Sequence, residues 1–266
     1  MVCAGLFGVF MHARGFDSRF LICFSTIIIV GIGSILFHGT LLFSLQLLDE
    51  VPMLFCVLVL CYSVIENKKE KRFGIWFPIT LILWGIIITL TMIISGIYHQ
   101  DKIMQSLEFY VFQGSFFIIC IIVYFHTVII GINTNIENSS QTLLILGSIV
   151  FLTGYVGWHV DFHFCSNMNS LPYNMPNPQL HAWWHLTASY GSYLMCVLVI
   201  HDRSKMLQRD PQILWIAHLL PYVKLYSSLS HSQLSNSRLK HYSEKVRLLE
   251  RDEEEEEDFG NEDFDK

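Results

Sequence analysis

The chain has 266 residues, 52% of them hydrophobic and 15% charged, with a mean hydropathy of +0.44. Its formal charge of −6 comes from the far end, where residues 252–266 carry ten acids and one lysine, leaving the remainder mildly basic. Uninterrupted apolar runs exclude an ordinary soluble domain. The basic residues are scattered around those runs rather than gathered on one face, which excludes a nucleic-acid binder.

Residues 2–11 are apolar but too short to cross a bilayer, and they read as the tail end of a first membrane helix. Six full spans follow, at roughly Phe20–Phe37, Val51–Ile65, Gly74–Tyr98, Leu107–Gly131, Thr142–Trp158 and Trp184–His201. The expectation is an all-α integral membrane protein, a seven-transmembrane helix bundle whose first helix is incomplete in this chain. Residues 1–201 form its membrane domain, with 1–12 as the remnant of the first helix. Residues 202–226 form a cytosolic juxtamembrane segment, in which Gln212–Tyr226, broken by Pro221, lies along the interface. Residues 227–266 are Ser-rich and then acidic, a composition that does not form a packed core. Within that tail, Glu244–Leu249 fits an acidic dileucine sorting pattern, which short segments often match by chance.

Alternating the spans through the membrane places Arg14, Arg19, Lys68, Lys69, Lys71, Arg72, Arg203, Lys205 and Arg209 on one side, against Lys102 on the other. This distribution predicts a cytosolic C-terminus. Asn138-Ser139-Ser140 matches a glycosylation sequon, but on this topology it is cytosolic and unmodified. Cys3, Cys23, Cys56, Cys61, Cys120 and Cys196 lie in apolar runs as packing residues, whereas Cys165 is expected in a polar loop.

The chemistry resides in a few polar residues at span ends. Ser34 and His38 share a helical face, and Asp49 follows eleven residues later, just before the next apolar run. His181 and His185, in His181-Ala182-Trp183-Trp184-His185, are also four apart. On the predicted topology all of these lie toward the non-cytosolic side. Ionisable groups at membrane depth are functional candidates by default. A catalytic zinc site needs three protein ligands and an open position, and His38, His181 and His185 can supply the three. Asp49 can then move a proton between water and a leaving amine, and Ser34 can donate a hydrogen bond to a developing oxyanion. Such a set suits hydrolysis of an amide or ester within a membrane. A second pair, His159 and His163 around Asp161, has the same spacing near the same membrane face, so spacing alone leaves both pairs open. Asp49 at a helix N-terminus and Ser34 bonded back to its own helix are the plainer structural alternatives.

Ser34-Ile-Leu-Phe-His38, then Gln46-Leu-Leu-Asp-Glu-Val-Pro-Met53, then His181-Ala-Trp-Trp-His185 followed by Gly191-Ser-Tyr193, resemble the alkaline ceramidases over most of residues 14–201. Within that family the HAWWH and DE-P-M details are most similar to the alkaline ceramidase 3 (phytoceramidase) branch. The resemblance implies a seven-helix enzyme of the endoplasmic reticulum and Golgi that cleaves a ceramide-type lipid to sphingosine and a free fatty acid. It implies zinc on His38, His181 and His185, acid/base chemistry at Asp49, and oxyanion assistance from Ser34. Trp158 and Asp161 fall in a family-like W-x-x-D segment, while His159 and His163 match none of the family's ligands. The family's calcium site belongs to an acidic N-terminal segment that this chain lacks, so Ca2+ is expected only in a longer form, where Cys165 would also find a partner. The Ser/His, Asp and His/His elements also occur in adiponectin and progestin receptors, so a zinc-bearing receptor is the alternative function, and an inactive ceramidase relative is a third.

Overall fold

The computed structural model describes residues 1–67, 73–98, 102–134, 138–168 and 176–226. The basic 68–72 segment and the 227–266 tail with Glu244–Leu249 lie outside the described residues, as do the side chains of Lys102, Asn138 and Cys165. The described chain is seven helices and one β-hairpin: α1 (Val2–His12), α2 (Ser18–Thr40), α3 (Phe43–Ile65), α4 (Trp76–Ile97), α5 (Lys102–Thr134), α6 (Asn138–Met168), α7 (Leu180–Met206), β1 (Asp210–Ile216) and β2 (Leu220–Tyr226). Residues 1–224 form one compact unit, and of 225–266 only the last two residues of β2 are described.

Five helices, α2 to α6, are long and apolar enough to cross a membrane, which marks an integral membrane protein. Leu, Ile and Phe cover their outward faces, for example Ile35, Ile87 and Ile145. α1 spans only eleven residues, about 16 Å. α7 is long but carries His, Ser and charged residues, and it buries most of its surface against α6, α1, α2 and α3, with Tyr193 to Ile200 nearly all inaccessible.

Lipid tails are as apolar as leucine, so helix association here rests on close packing. At Gly154 the α6 backbone approaches α7 so closely that a Cβ would fall 1.8 Å from Thr187 Oγ1. α5 and α6 instead meet through stacked rings: Phe109 on Trp158 and Phe162, Phe116 on Phe151, and Phe117 on Tyr155.

Several boundaries differ from the sequence reading. α3 begins eight residues before Val51, because Phe43–Glu50 continue the helix beyond its most apolar part. Asp49 is therefore inside α3 and past its first turn, not at its N-terminus. α6 continues to Met168 across a break at Phe164 (φ −120°, ψ 24°), so Cys165 belongs to its last turn.

The 202–226 segment also differs. α7 continues to Met206, and the chain then returns as a hairpin closed by the Leu219 N–H donating to Ile216 O (3.0 Å), whose central turn residues Ala217 and His218 both have positive φ (50° and 56°), the mirror-image turn that matches strand twist. The hairpin packs back on the bundle. Pro221 and Val223 are buried, Tyr193 donates its hydroxyl to Pro221 O, and Tyr190 donates to Leu219 O at 2.5 Å. His12, fully buried, donates from Nδ1 to Gly8 O (2.9 Å) and accepts the Val223 N–H at Nε2 (3.2 Å). An isolated hairpin is marginal, and these side chains satisfy backbone groups that would otherwise face an apolar surrounding.

Candidate metal centre

Two helix ends bring the histidines together. α2 stops just after His38 because Leu41 takes a left-handed conformation (φ 58°, ψ 26°), its N–H bonding to Phe37 O at 2.6 Å. α7 starts after Pro176 and Pro178, where the Asn177 side-chain oxygen accepts the Gln179 N–H at 2.8 Å and Gln179 also has positive φ. His181 then lies in the first turn of α7, and His185 lies one turn later on the same face.

His38, His181 and His185 each offer a ring nitrogen within 4.8 Å of the others. Their ring centroids are 4.8–5.0 Å apart, with the planes steeply inclined to one another. His38 Nε2 and His185 Nε2 are 3.0 Å apart. Three imidazoles with nitrogens converging on one point can share at most a proton or two, whereas a cation satisfies all three lone pairs. Tetrahedral Zn–N bonds of 2.0–2.1 Å put ligand nitrogens about 3.3 Å apart, close to the His38–His185 separation. The donor set fits a metal ion.

Ser34, buried one turn before His38, has its Oγ 3.3 Å from Nδ1 and 3.4 Å from Nε2 of His185. It therefore reaches across to α7 instead of bonding back to α2. Asp49, 4% exposed, lines a cavity of 50 Å³ with His181, His185, Glu50, Gln113 and Trp184, and its Oδ1 has no hydrogen-bond partner among the described residues. Its position follows from how α2 and α3 cross. A Cβ on Gly33 would sit 2.3 Å from Leu48 O, so only glycine allows this approach. Pro52 has no N–H to donate to Leu48 O, which leaves that carbonyl free to face α2. Pro52 and Gly33 together set Asp49 beside the histidines.

The rival pair is elsewhere. His159 and His163 stack on each other along α6, with ring centroids 5.8 Å apart, and His159 packs on Tyr155 and Trp158. Among the described residues, the cluster of three that could hold a metal ion is His38, His181 and His185, and neither His159 nor His163 belongs to it. Three residues of the site escape the motif reading. Gly33 and Glu50 lie inside the motif-bearing stretch without standing out. Gln113 carries the signal that singles out Ser34, a polar residue within an apolar run.

The profile of the Ceramidase family matches residues 1–224. The chain is 26% identical to alkaline ceramidase 3 of Mus musculus over 242 residues, covering 87% of this chain and 84% of that one. It is 28% identical to an alkaline ceramidase of Saccharomyces cerevisiae (strain ATCC 204508 / S288c) over 203 residues, 70% of this chain and 63% of the relative. It is 27% identical to the alkaline ceramidase of Arabidopsis thaliana over 211 residues, 79% and 76% of the two chains. With that match running through every helix that builds the histidine cluster, the chain belongs to the ceramidase family.

Proposed function

We propose that this protein hydrolyses the amide bond of a ceramide-type lipid within the membrane, releasing a sphingoid base and a free fatty acid. The observation that carries this reading is the convergence of His38, His181 and His185 beside Asp49 in a chain of the ceramidase family. Zinc is the ion we assign to the three histidines, since three imidazoles with an open fourth position suit it. When bound, zinc supplies Lewis acidity that activates water near neutral pH and polarises a carbonyl.

The remaining work falls to the chain's own residues. Asp49, unpartnered at Oδ1, accepts the proton of the attacking water and passes it to the leaving nitrogen. With His185 using Nε2 as a ligand, its Nδ1–H donates to Ser34 Oγ, which fixes the ring. Ser34 keeps its own O–H, free to donate to the carbonyl oxygen as negative charge develops there. An apolar cavity of 280 Å³ between α3, α5, α6 and α7, lined in part by Leu60, Phe117, Phe151 and Tyr155, supports a substrate with a hydrocarbon chain. In this reading all seven helices lie in the membrane of the endoplasmic reticulum or Golgi, the site faces the lumen, and the C-terminus with its acidic tail is cytosolic. The uneven distribution of basic residues supports that orientation.

The test uses the purified full chain in detergent micelles with a long-chain ceramide. Sphingosine release and one zinc per chain are expected for the wild type, with both lost in His181→Ala. Equal release from wild type and His181→Ala would sink the assignment.

A further inference from the structure

On α5, Phe109, Gln113, Phe116 and Cys120 recur at helical spacing and face inward. A turn before Gln113, Phe109 stacks on Trp158 and Phe162; a turn after it, Phe116 stacks on Phe151. The aromatic seam between α5 and α6 is thus interrupted once by a primary amide, at the level of the small cavity that holds His181, His185 and Asp49. Gln113 makes no hydrogen bond to any described residue. Gln113 is half-buried among Phe112, Phe116 and Trp158, and its amide lines the cavity beside the histidines, so it is available to a polar group that enters there.

The chemistry of the amide selects that partner. Glutamine offers an acceptor oxygen and two N–H donors and carries no charge, which matches a hydroxyl, itself donor and acceptor. The cavity's 50 Å³ admits only a few water-sized groups. In a ceramide the two hydroxyls sit on the carbons either side of the one that bears the amide nitrogen. With the scissile amide at the histidines, those hydroxyls are the polar groups closest to it.

We propose that Gln113 is a specificity-determining residue whose amide binds a sphingoid-base hydroxyl of the substrate. This rests on the ceramide-hydrolase reading above.

The experiment compares kcat/KM for three N-acyl substrates in mixed micelles: one with both sphingoid hydroxyls, one lacking the C1 hydroxyl and one lacking the C3 hydroxyl. The wild type is expected to prefer the full substrate over one of the analogues by roughly ten- to a hundred-fold, since a lost hydroxyl leaves the amide unpaired. Gln113→Leu is expected to lose a similar factor on the full substrate while keeping its rate on that analogue, so discrimination collapses. If Gln113→Leu is not recovered folded, Gln113→Met serves, being unbranched and of similar length. A wild type that cleaves all three equally, or a variant that slows all three in proportion, overturns the proposal and leaves the ceramidase reading intact. A wild type that cleaves none of them overturns both.

Discussion

His185 and Arg203 lie on one helix, eighteen residues or about 27 Å apart, and their surroundings differ in kind. Arg203 donates to Asp17 Oδ2 (2.9 Å), Glu66 O (3.3 Å) and Asn67 O (2.5 Å), joining the ends of α2, α3 and α7. Arg19 adds a bond to Glu66 O (3.1 Å) and lies over the Tyr62 ring. Nearby, His12 is bonded at both ring nitrogens and His201 accepts or donates to Ser140 Oγ at 2.9 Å. At the His185 end, three imidazoles crowd one point and Asp49 Oδ1 has no hydrogen-bond partner among the described residues; positive φ occurs at both ends, at Leu41 and Gln179 here and at Gln208 beyond Arg203. Buried polar groups with partners hold helices together. At the other end, three imidazoles that could hold a metal ion lie beside a buried carboxylate oxygen with no hydrogen bond among the described residues. Asn67 Oδ1 and His201 Nε2, at the Arg203 end, also make no hydrogen bond among the described residues, but each residue is tied through another atom, the Asn67 carbonyl to Arg203 and His201 Nδ1 to Ser140 Oγ.

The largest effect expected on this contrast is at Asp49. Asp49→Asn is nearly isosteric and removes the proposed proton acceptor but none of the three imidazoles. Turnover should fall about a hundred- to ten-thousand-fold, with zinc content and melting temperature near wild type. Loss of the metal together with activity would make Asp49 part of the ion's own shell.

Gly33→Ala comes next. A Cβ there would collide with Leu48 O, and a backbone atom can only yield if α3 moves. A displacement of about 1 Å can cost a hundred-fold in rate, and overpacking about 1–3 kcal/mol in stability. Gly39, one residue beyond His38, has open space around it, so Gly39→Ala is the control and should leave turnover unchanged. Equal effects from the two would show that the α2–α3 crossing does not position Asp49.

These cases also show what could be read from the chain alone. His38, Asp49, His181 and His185 stood out because such residues are costly in apolar runs, and α2 to α6 stood out by apolar length. Gly33 matters through a contact with Leu48, fifteen residues away, which no local pattern reveals. The hairpin was hidden because its turn uses Ala217-His218 where Asn-Gly would have signalled it. Tyr190, Tyr193 and His12, rather than strand propensity, dock it on the bundle. α3's early start was obscured because Gln46, Asp49 and Glu50 lower the hydropathy of a stretch that is helical all the same.

The Arg203 end is tested by Arg203→Met, which keeps the aliphatic bulk and removes the guanidinium. Asp17 and the Glu66 and Asn67 carbonyls then each lose one donor, with Arg19 still reaching Asp17 and Glu66 O, an expected loss of about 1–3 kcal/mol, read as a lower melting temperature in detergent. The fraction that stays folded should hold zinc and turn over at the wild-type rate. A fall in turnover per folded molecule would mean that the far end of α7 is coupled to the histidines.

The smallest effect should come from Leu41→Gly. A leucine in the left-handed region carries about 1–2 kcal/mol of backbone strain, and glycine removes it. Glycine also gives the unfolded chain more freedom, which takes back about 0.4–1 kcal/mol. The net expectation is a gain of about 0.5 kcal/mol, a small rise in melting temperature. The informative reading is the metal. Leu41 ends the helix three residues after His38, so a looser turn lets the imidazole wander even as the fold becomes more stable. If strain at this end serves to hold His38 against His185, zinc affinity should fall while stability rises. If both rise together, the left-handed leucine is only a consequence of the tight α2–α3 connection, and the contrast between the two ends rests on the unpaired side chains alone.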